Sequence, residues 1–301
     1  MTTTTSDVAA PLGLRGGPAQ RRGPATLMVL ASCTSLQVGA ALATRLFPAT
    51  GASGATLLRL GLAAGALLTV SRPGIRGWTR DQWRAVALFG LSLAGMNGFF
   101  YAAIARIPLG VAVTIEFLGP LALAAVLSRR ARDLGWVLLA LVGVAALGWA
   151  GEGGSGGSLD LVGIVFTLAA AAFWALYILA GARVSTAVPG SGGLAVAMTI
   201  AALILVPGGM HGAERVADRP QLLLVALGTA LMASIVPYSL EYAAMRRIPR
   251  RAFGILLSLE PAVATLAGWL VLSQRVGPLA ITAVAAVVSA SVGSTLTSAA
   301  T

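Results

Sequence analysis

Long apolar stretches separated by short polar gaps fill the chain from residue 25 onward. A transmembrane helix needs about 20 mostly apolar residues. The pattern predicts ten spans, at residues 25–46, 52–70, 85–105, 109–127, 134–150, 161–181, 194–207, 222–245, 253–272 and 277–297. The gaps leave no room for an extramembrane domain, so the sequence predicts an all-α membrane protein. Residues 1–24, rich in Thr, Gly, Pro and Arg, are predicted to form a disordered tail.

The amino-acid composition also indicates a membrane protein. Hydrophobic residues make up 57% of the sequence and charged residues 10%, whereas soluble domains carry about 25% charged residues. A net charge of +11 is compatible with nucleic-acid binding only if the basic residues cluster on one face. Here the arginines lie in short gaps between apolar runs, so we expect lipid contacts and no nucleic-acid partner.

The arginines also indicate the orientation of the chain. They concentrate in alternate gaps, at residues 15–22, 72–84, 129–132 and 246–251, and are sparser in the gaps between. Cytoplasmic loops carry an excess of Lys and Arg. We therefore expect a multi-pass membrane protein with both termini in the cytoplasm.

One eight-residue motif occurs twice. YAAIARIP at 101–108 returns as YAAMRRIP at 242–249, and the register continues to Pro120 and Pro261. The first copy joins predicted spans three and four and the second joins spans eight and nine, so the copies lie on opposite sides of the membrane. This arrangement predicts two inverted five-helix repeats, which are typical of transporters. We expect the first repeat over 25–150, a periplasmic linker over 151–160 and the second repeat over 161–301.

Both prolines of the extended match lie inside predicted spans. Proline within a helix removes a hydrogen bond and frees the carbonyl four residues earlier, which for Pro120 belongs to Glu116. We expect helix breaks at Pro120 and Pro261 that expose backbone groups to water or a ligand. The alternative is a kink that only shapes the packing.

Four charged residues lie within the predicted spans: Arg59, Glu116, Glu241 and Glu260. Each costs about 2.5–3.5 kcal/mol or more at the centre of the membrane, and such residues usually face a cavity or a partner. At a rise of about 1.5 Å per residue, Glu116 and Glu260 lie roughly 12 and 16 Å from the membrane edge, near the midplane.

Two interpretations of these charges remain open. In the first, Arg59 and a glutamate form a buried structural ion pair. In the second, a glutamate takes up a proton or a substrate ammonium, and Arg59 binds a carboxylate through two hydrogen bonds. Six further side chains are candidates for the wall of a polar cavity, although each could equally be a packing or interface residue: Asn97, Tyr101, Trp174, Tyr177, Tyr238 and Tyr242.

Other classes of protein explain the sequence less well. With Cys33 as the single cysteine and His211 as the single histidine, a disulfide framework and a Cys/His metal site within one chain are excluded. A polytopic membrane enzyme would need acidic or histidine clusters near the membrane surface, but the acidic residues of the loops are scattered. A scaffold subunit would not explain the internal charges. We expect no enzyme activity, no metal and no cofactor.

The residues around Glu116 resemble a known family. GLSLAGMNGFFYAAIARIPLGVAVTIEFLGPLALAAVLSRR (90–130), PYSLEYAA (237–244) and RAFGILLSLEPAVATLAG (251–268) resemble the bacterial threonine and homoserine exporters. These are ten-helix proteins with two EamA-type domains, in the drug/metabolite transporter superfamily. The resemblance covers nearly the whole chain after residue 25.

The resemblance implies a protein of the bacterial inner membrane that exports threonine, homoserine and similar small zwitterionic amino acids, driven by proton exchange. It places Arg59, Glu116, Glu241 and Glu260 on family motif positions. The runner-up is export of another metabolite or drug through the same architecture. The chain departs from the family at VLSQ, where Gln274 occupies a position at which the family usually has glutamate.

Overall fold

The fold is helical throughout the residues that a computed structural model describes, which are 22–128, 134–143, 160–216, 219–245 and 256–297. No strand occurs among them. The helices are α1 (Arg22–Ala43), α2 (Phe47–Ser71), α3 (Arg80–Ile104), α4 (Leu109–Glu116), α5 (Leu118–Ser128), α6 (Leu134–Gly143), α7 (Leu161–Ala187), α8 (Gly192–Ala213), α9 (Pro220–Ala230), α10 (Val236–Met245), α11 (Glu260–Leu272) and α12 (Pro278–Thr297).

Six segments of the described chain are long and apolar enough to cross a membrane: Thr26–Ser71, Arg80–Ile104, Leu109–Leu127, Leu161–Ala187, Gly192–Val216 and Pro220–Glu241. The prediction of an all-α chain with apolar spans is confirmed. The count of ten spans and the two inverted repeats stay predictions. Residues 144–150 of the fifth span, 151–159 of the linker, 246–249 of the second motif copy and 253–255 of the ninth span lie outside the described residues.

Several predicted bounds need correction. Helix α1 already includes Arg22, within the predicted tail. Helix α2 contains a kink at Gly51, whose backbone is not helical (φ 67°). The kink separates a first turn at Phe47–Thr50, which includes Pro48, from a long helix that begins close to the predicted start at residue 52. Helix α8 extends beyond its predicted bounds at both ends and contains Pro207, as membrane helices tolerate.

Three predicted spans are interrupted at positions that shape the interior, and the ninth is interrupted at Ser258–Leu259, directly before Glu260. The fourth span divides into α4 and α5 at Phe117. The eighth span divides into α9 and α10 around a π-helical turn at Leu231–Ile235, and the sequence analysis did not predict that turn. Short π segments of this kind frequently occur at functional sites.

Small residues let the helices approach closely where the interior is formed. Helix α2 packs along α8, α3 packs along α7 and α8, and α4 packs against α11. A side chain at Gly110 of α4 would collide with Thr265 of α11, and a Cβ at Gly39 of α1 would lie 2.6 Å from the Ala233 nitrogen of the π turn. Such contacts are typical of helix packing in membranes, where backbone proximity replaces the hydrophobic effect.

An ion pair ties the chain together near the start of α7. The Arg106 guanidinium donates to an Asp160 carboxylate oxygen at 2.9 Å, and the other oxygen accepts from the Val162 and Gly163 amides. The Arg106 hydrogen bond, followed by the Gly163 amide, holds the pKa of the Asp160 carboxyl below its usual value. The pair links the end of the first motif copy to α7.

Candidate functional site

Arg59 is at the centre of the candidate site. It lies on α2 with 2% of its surface exposed. Nη1 donates to the Ala233 carbonyl at 2.7 Å and to Ser234 Oγ at 3.1 Å. Nη2 donates to Asn97 Oδ1. The guanidinium carbon lies 4.8 Å from the centroid of the Tyr101 ring, which adds a cation–π contact.

The Arg59 environment keeps two polar atoms unpaired among the described residues. Arg59 Nε and the Tyr101 hydroxyl are both buried without a hydrogen-bond partner. Asn97 is held in place because its amide nitrogen donates to the Leu93 carbonyl at 2.8 Å. Buried polar groups are nearly always hydrogen-bonded, so unpaired groups beside a fixed guanidinium indicate a place for a polar ligand.

Glu116 is the last residue of α4, immediately before the interruption at Phe117. It is 7% exposed and forms no hydrogen bond with another described residue. Arg59 attracts it electrostatically. Pro120 lies in the first turn of α5 and cannot donate to the Glu116 carbonyl. Both the side chain and the backbone carbonyl of Glu116 therefore lack their ordinary partners.

Two further glutamates come from the second half of the chain. Glu260 is the first residue of α11, is 2% exposed, and is followed by Pro261 in the first helical turn. Glu241 lies on α10 and accepts a hydrogen bond from Ser32 Oγ at 2.7 Å. Glu260 experiences the charges of both Glu241 and Glu116. The three glutamates therefore face one interior region.

The predicted aromatic residues lie around the same region. Tyr238 interacts with Arg59, Asn97, Glu241 and Tyr101. The Tyr177 ring lies 6.4 Å from the Tyr238 ring, and Tyr177 also interacts with Glu241 and Glu260. The Trp174 ring packs edge-to-face on Phe117 at 5.3 Å, beside the interruption that follows Glu116. Direct contacts thus join Arg59 to Asn97 and Tyr101 and pair Tyr177 with Tyr238, and Trp174 lies beside the interruption after Glu116. The side chain of Tyr242 is not among those that the structure describes.

The described residues contain no ion pair between Arg59 and a glutamate; their two ion pairs are Arg84–Asp81 and Arg106–Asp160. The sequence analysis missed the actual partners of Arg59 at Ala233 and Ser234, and it missed Ser32 and Gln37. Polar residues inside apolar runs were the available signal for Ser32, Gln37 and Ser234. No sequence signal existed for the Ala233 carbonyl, because only the π turn directs it at Arg59.

Gln274 connects α4 to the loop after α11. Pro108, at the N-cap of α4, provides no side-chain hydrogen bond. Gln274 Oε1 instead accepts from the Leu109 amide at 3.1 Å. The position that the sequence analysis marked as a departure from the family pattern therefore caps the helix that carries Glu116.

A metal site does not account for this arrangement. Within the described ranges, no group of three or more His, Cys, Asp or Glu residues is placed to hold a metal ion. The site offers one guanidinium, three carboxyl groups, an amide and tyrosine hydroxyls. This set matches the two charged ends of an amino acid.

Comparison with known proteins agrees with this chemistry. The chain is 41% identical over 271 residues to the "Threonine/homoserine exporter RhtA" of Escherichia coli (strain K12), covering 90% of this chain and 91% of that protein. The protein of the same name from Salmonella typhimurium (strain LT2) is 42% identical over the same shares. The model of the EamA-like transporter family matches residues 161–296. The chain belongs to the EamA-like transporter family.

The fold of this EamA-like transporter also has a solved counterpart. A crystal structure superposes on the chain with a TM-score of 0.60, at 20% sequence identity, and covers 92% of this chain and 98% of the other. The predicted membership of the threonine/homoserine exporter group is confirmed, as is the prediction of a transporter and not an enzyme. The roles of the individual site residues are taken up below as proposals.

Proposed function

We propose that this EamA-like protein is an inner-membrane exporter of threonine, homoserine and similar small amino acids. The observation that carries the proposal is the enclosed cluster of Arg59 and three glutamates beside helix ends. The relatives at 41% and 42% identity are named for threonine and homoserine export. A zwitterionic substrate fits a site with one fixed cation and several carboxyl groups.

In this proposal the two charged ends of the substrate bind opposite groups. Arg59 binds the carboxylate through its unpaired Nε, with the Tyr101 hydroxyl as a second donor. Glu116 binds the ammonium, because it is slightly exposed and forms no hydrogen bond with another described residue. Asn97 and Tyr238 hold the guanidinium region in place. Glu260 and Glu241 form the part of the cavity contributed by the second half.

Proton exchange supplies the driving force in the same proposal. One guanidinium cannot balance three carboxylates, and isolated charges in a low-dielectric interior are neutralised rather than buried. A proton taken up by a glutamate is therefore the counterpart of the exported ammonium. Alternating access between two inverted five-helix repeats, with both termini in the cytoplasm, exposes the cavity to each side in turn.

The test is efflux of labelled threonine from proteoliposomes with an imposed pH gradient. Glu116→Gln is expected to abolish most of the gradient-driven flux, whereas the same change at the exposed Glu214 serves as the matched control and leaves it intact. Unchanged flux and unchanged pH dependence in Glu116→Gln would contradict the role of Glu116. Protection of a host against bulky cationic drugs but not against toxic amounts of threonine or homoserine would contradict the substrate class.

A further inference from the structure

Gln37 is a buried polar residue without an assigned role. It lies on α1 with 3% of its surface exposed, and its Oε1 has no hydrogen-bond partner among the described residues. An unpaired buried amide costs free energy and calls for an explanation. A bound ligand provides one if Gln37 faces the binding site.

The neighbours of Gln37 on α1 show which way its face points. Residues three and four apart lie on one face of a helix, so Cys33, Gln37 and Ala41 form one stripe. Cys33 lies in a small cluster with Ala244 of α10 and Val263 of α11, the helices that carry Glu241 and Glu260. Ala41 belongs to the large buried cluster that includes Tyr101. The stripe is therefore buried between the helices of the second-half glutamates and the cluster of Tyr101, and Gln37 is its polar member.

The depth of Gln37 follows from the contacts on either side of it. Ser35 Oγ donates to the Met232 carbonyl at 2.7 Å, and Gly39 approaches the backbone of Ala233. Ala233 is also the residue whose carbonyl accepts from Arg59 Nη1. Gln37, between Ser35 and Gly39, is therefore level with the Arg59 guanidinium.

We propose that Gln37 hydrogen-bonds the side-chain hydroxyl of the exported amino acid and sets a preference for hydroxylated substrates. This inference rests on the proposed function, in which Arg59 and Glu116 bind the carboxylate and ammonium that all amino acids share. Among the described residues, Gln37 is the remaining unpaired polar group of the site at that depth. An amide both donates and accepts, as does a hydroxyl, so either orientation of the amide satisfies the pair.

The hydroxyl can be isolated by comparing substrates of nearly equal shape. Threonine and valine differ by a hydroxyl in place of a methyl group, as do homoserine and norvaline. A site that hydrogen-bonds a hydroxyl discriminates against the analogue that lacks it. Efflux of each of the four labelled amino acids is measured in proteoliposomes containing the full chain, and the threonine-to-valine and homoserine-to-norvaline ratios are calculated.

In Gln37→Met, which keeps length without polar atoms, both ratios are expected to fall about tenfold, the effect of one lost hydrogen bond. Gln37→Glu keeps an acceptor and is expected to retain most of the preference. Thr34→Val is the control, since Thr34 is exposed on the same helix and donates to its own Leu30 carbonyl; its ratios should match those of the wild type.

Two outcomes would overturn the role of Gln37. If the two efflux ratios are unchanged in Gln37→Met, or if efflux falls equally for all four substrates, Gln37 does not recognise the substrate hydroxyl. If Gln37→Met does not fold, Gln37→Asn is used instead, because its amide is shorter by one methylene. Unchanged efflux ratios in Gln37→Asn lead to the same conclusion. A wild type that transports none of the four refutes the proposed function itself, whereas intact transport with insensitive ratios refutes only this inference.

Discussion

Glu116 and Glu260 both lie beside a proline at the end of a helix, but at opposite ends. Glu116 is the last residue of α4, where the partial negative charge of the helix dipole disfavours a carboxylate. Glu260 is the first residue of α11, where the partial positive charge favours one. The sequence shows the same difference in the distance from each glutamate to its proline. Three residues separate Glu116 from Pro120, whereas Pro261 follows Glu260 directly.

The surrounding charges reverse this order. Glu116 is attracted by Arg59, whereas Glu260 faces the like charges of Glu241 and Glu116. Burial is the largest influence and disfavours both carboxylates. Beyond burial, the helix dipole and the neighbouring charges act in opposite directions at each glutamate. The comparison teaches that similar motifs in the two halves hold their carboxyl groups by different means, so equal substitutions should have unequal effects.

The largest expected effect comes from removing the cation. Arg59→Met leaves the Ala233 carbonyl, Ser234 and Asn97 without their donor and Glu116 without its counter-charge. We expect a loss of about 3–5 kcal/mol in stability and loss of threonine efflux. In this background Glu116→Gln should be about 1 kcal/mol more favourable than in the wild type, whereas Glu260→Gln should have the same effect in both backgrounds. Thermal unfolding in detergent measures both; equal rescue by the two changes would contradict the comparison.

The two single glutamate substitutions should have different effects on Tm. Glu116→Gln removes an attraction to Arg59 and is expected to lower Tm. Glu260→Gln removes repulsion from two carboxylates and is expected to leave Tm unchanged or raise it. The gap between the variants should be about 1 kcal/mol, or roughly 2–4 °C, and should widen as the pH rises because repulsion grows with ionisation. The measurement is Tm at several pH values above neutrality.

Substitutions of Gln274 are expected to affect α4, which carries Glu116, without changing the contacts of Glu260. Gln274→Ala removes the cap on the Leu109 amide and should cost about 1 kcal/mol, with a several-fold loss of threonine efflux. Gln274→Glu keeps an acceptor and adds a negative charge at the N-terminus of α4, so its stability should equal or exceed that of the wild type by a few tenths of a kcal/mol. Equal losses in both variants would argue against a capping role.

The smallest effect is expected outside the membrane, where an exposed ion pair can be compared with the buried charges. Asp160→Asn keeps a side chain able to cap α7 but loses the ion pair with Arg106. Because the folded-state pKa of Asp160 is lowered, its contribution is present at neutral pH and is lost as the pH falls below the usual aspartate range. The difference in Tm between wild type and variant should therefore be small at pH 7 and vanish in strong acid.

Sequence patterns identified the charges within the helices because a charge inside an apolar run is a large local signal. Arg59, Glu116, Glu241 and Glu260 were all found in this way, and their convergence follows from the helix packing. The partners of Arg59 were not found, since a backbone carbonyl carries no sequence signal and the π turn at Leu231–Ile235 lies in an ordinary apolar stretch, LMASI. Gln37 was passed over because it is uncharged, although it is as deeply buried as the charged residues.

Helix boundaries were predictable only to within a few residues. Hydrophobicity marks the membrane core, but a helix continues beyond that core until a cap or a backbone conformation stops it. Arg72, left-handed at φ 40°, ends α2 one residue beyond the predicted limit, while α8 continues past Pro207 to Ala213. These end points depend on backbone geometry and neighbouring helices, which apolar composition does not encode.

The π turn has a consequence for how the two halves of the site stay aligned. A π turn contains one more residue than the α-helical turn it replaces, and each residue of an α-helix rotates the chain by about 100°. Because the wider turn absorbs the extra residue, α10 keeps the direction in which Glu241 points toward Ser32. Deleting one residue of Leu231–Ile235 would therefore restore an α-helical turn with Glu241 still directed at Ser32. Deleting one residue between the π turn and Glu241 would instead rotate Glu241 by about 100°, away from Ser32.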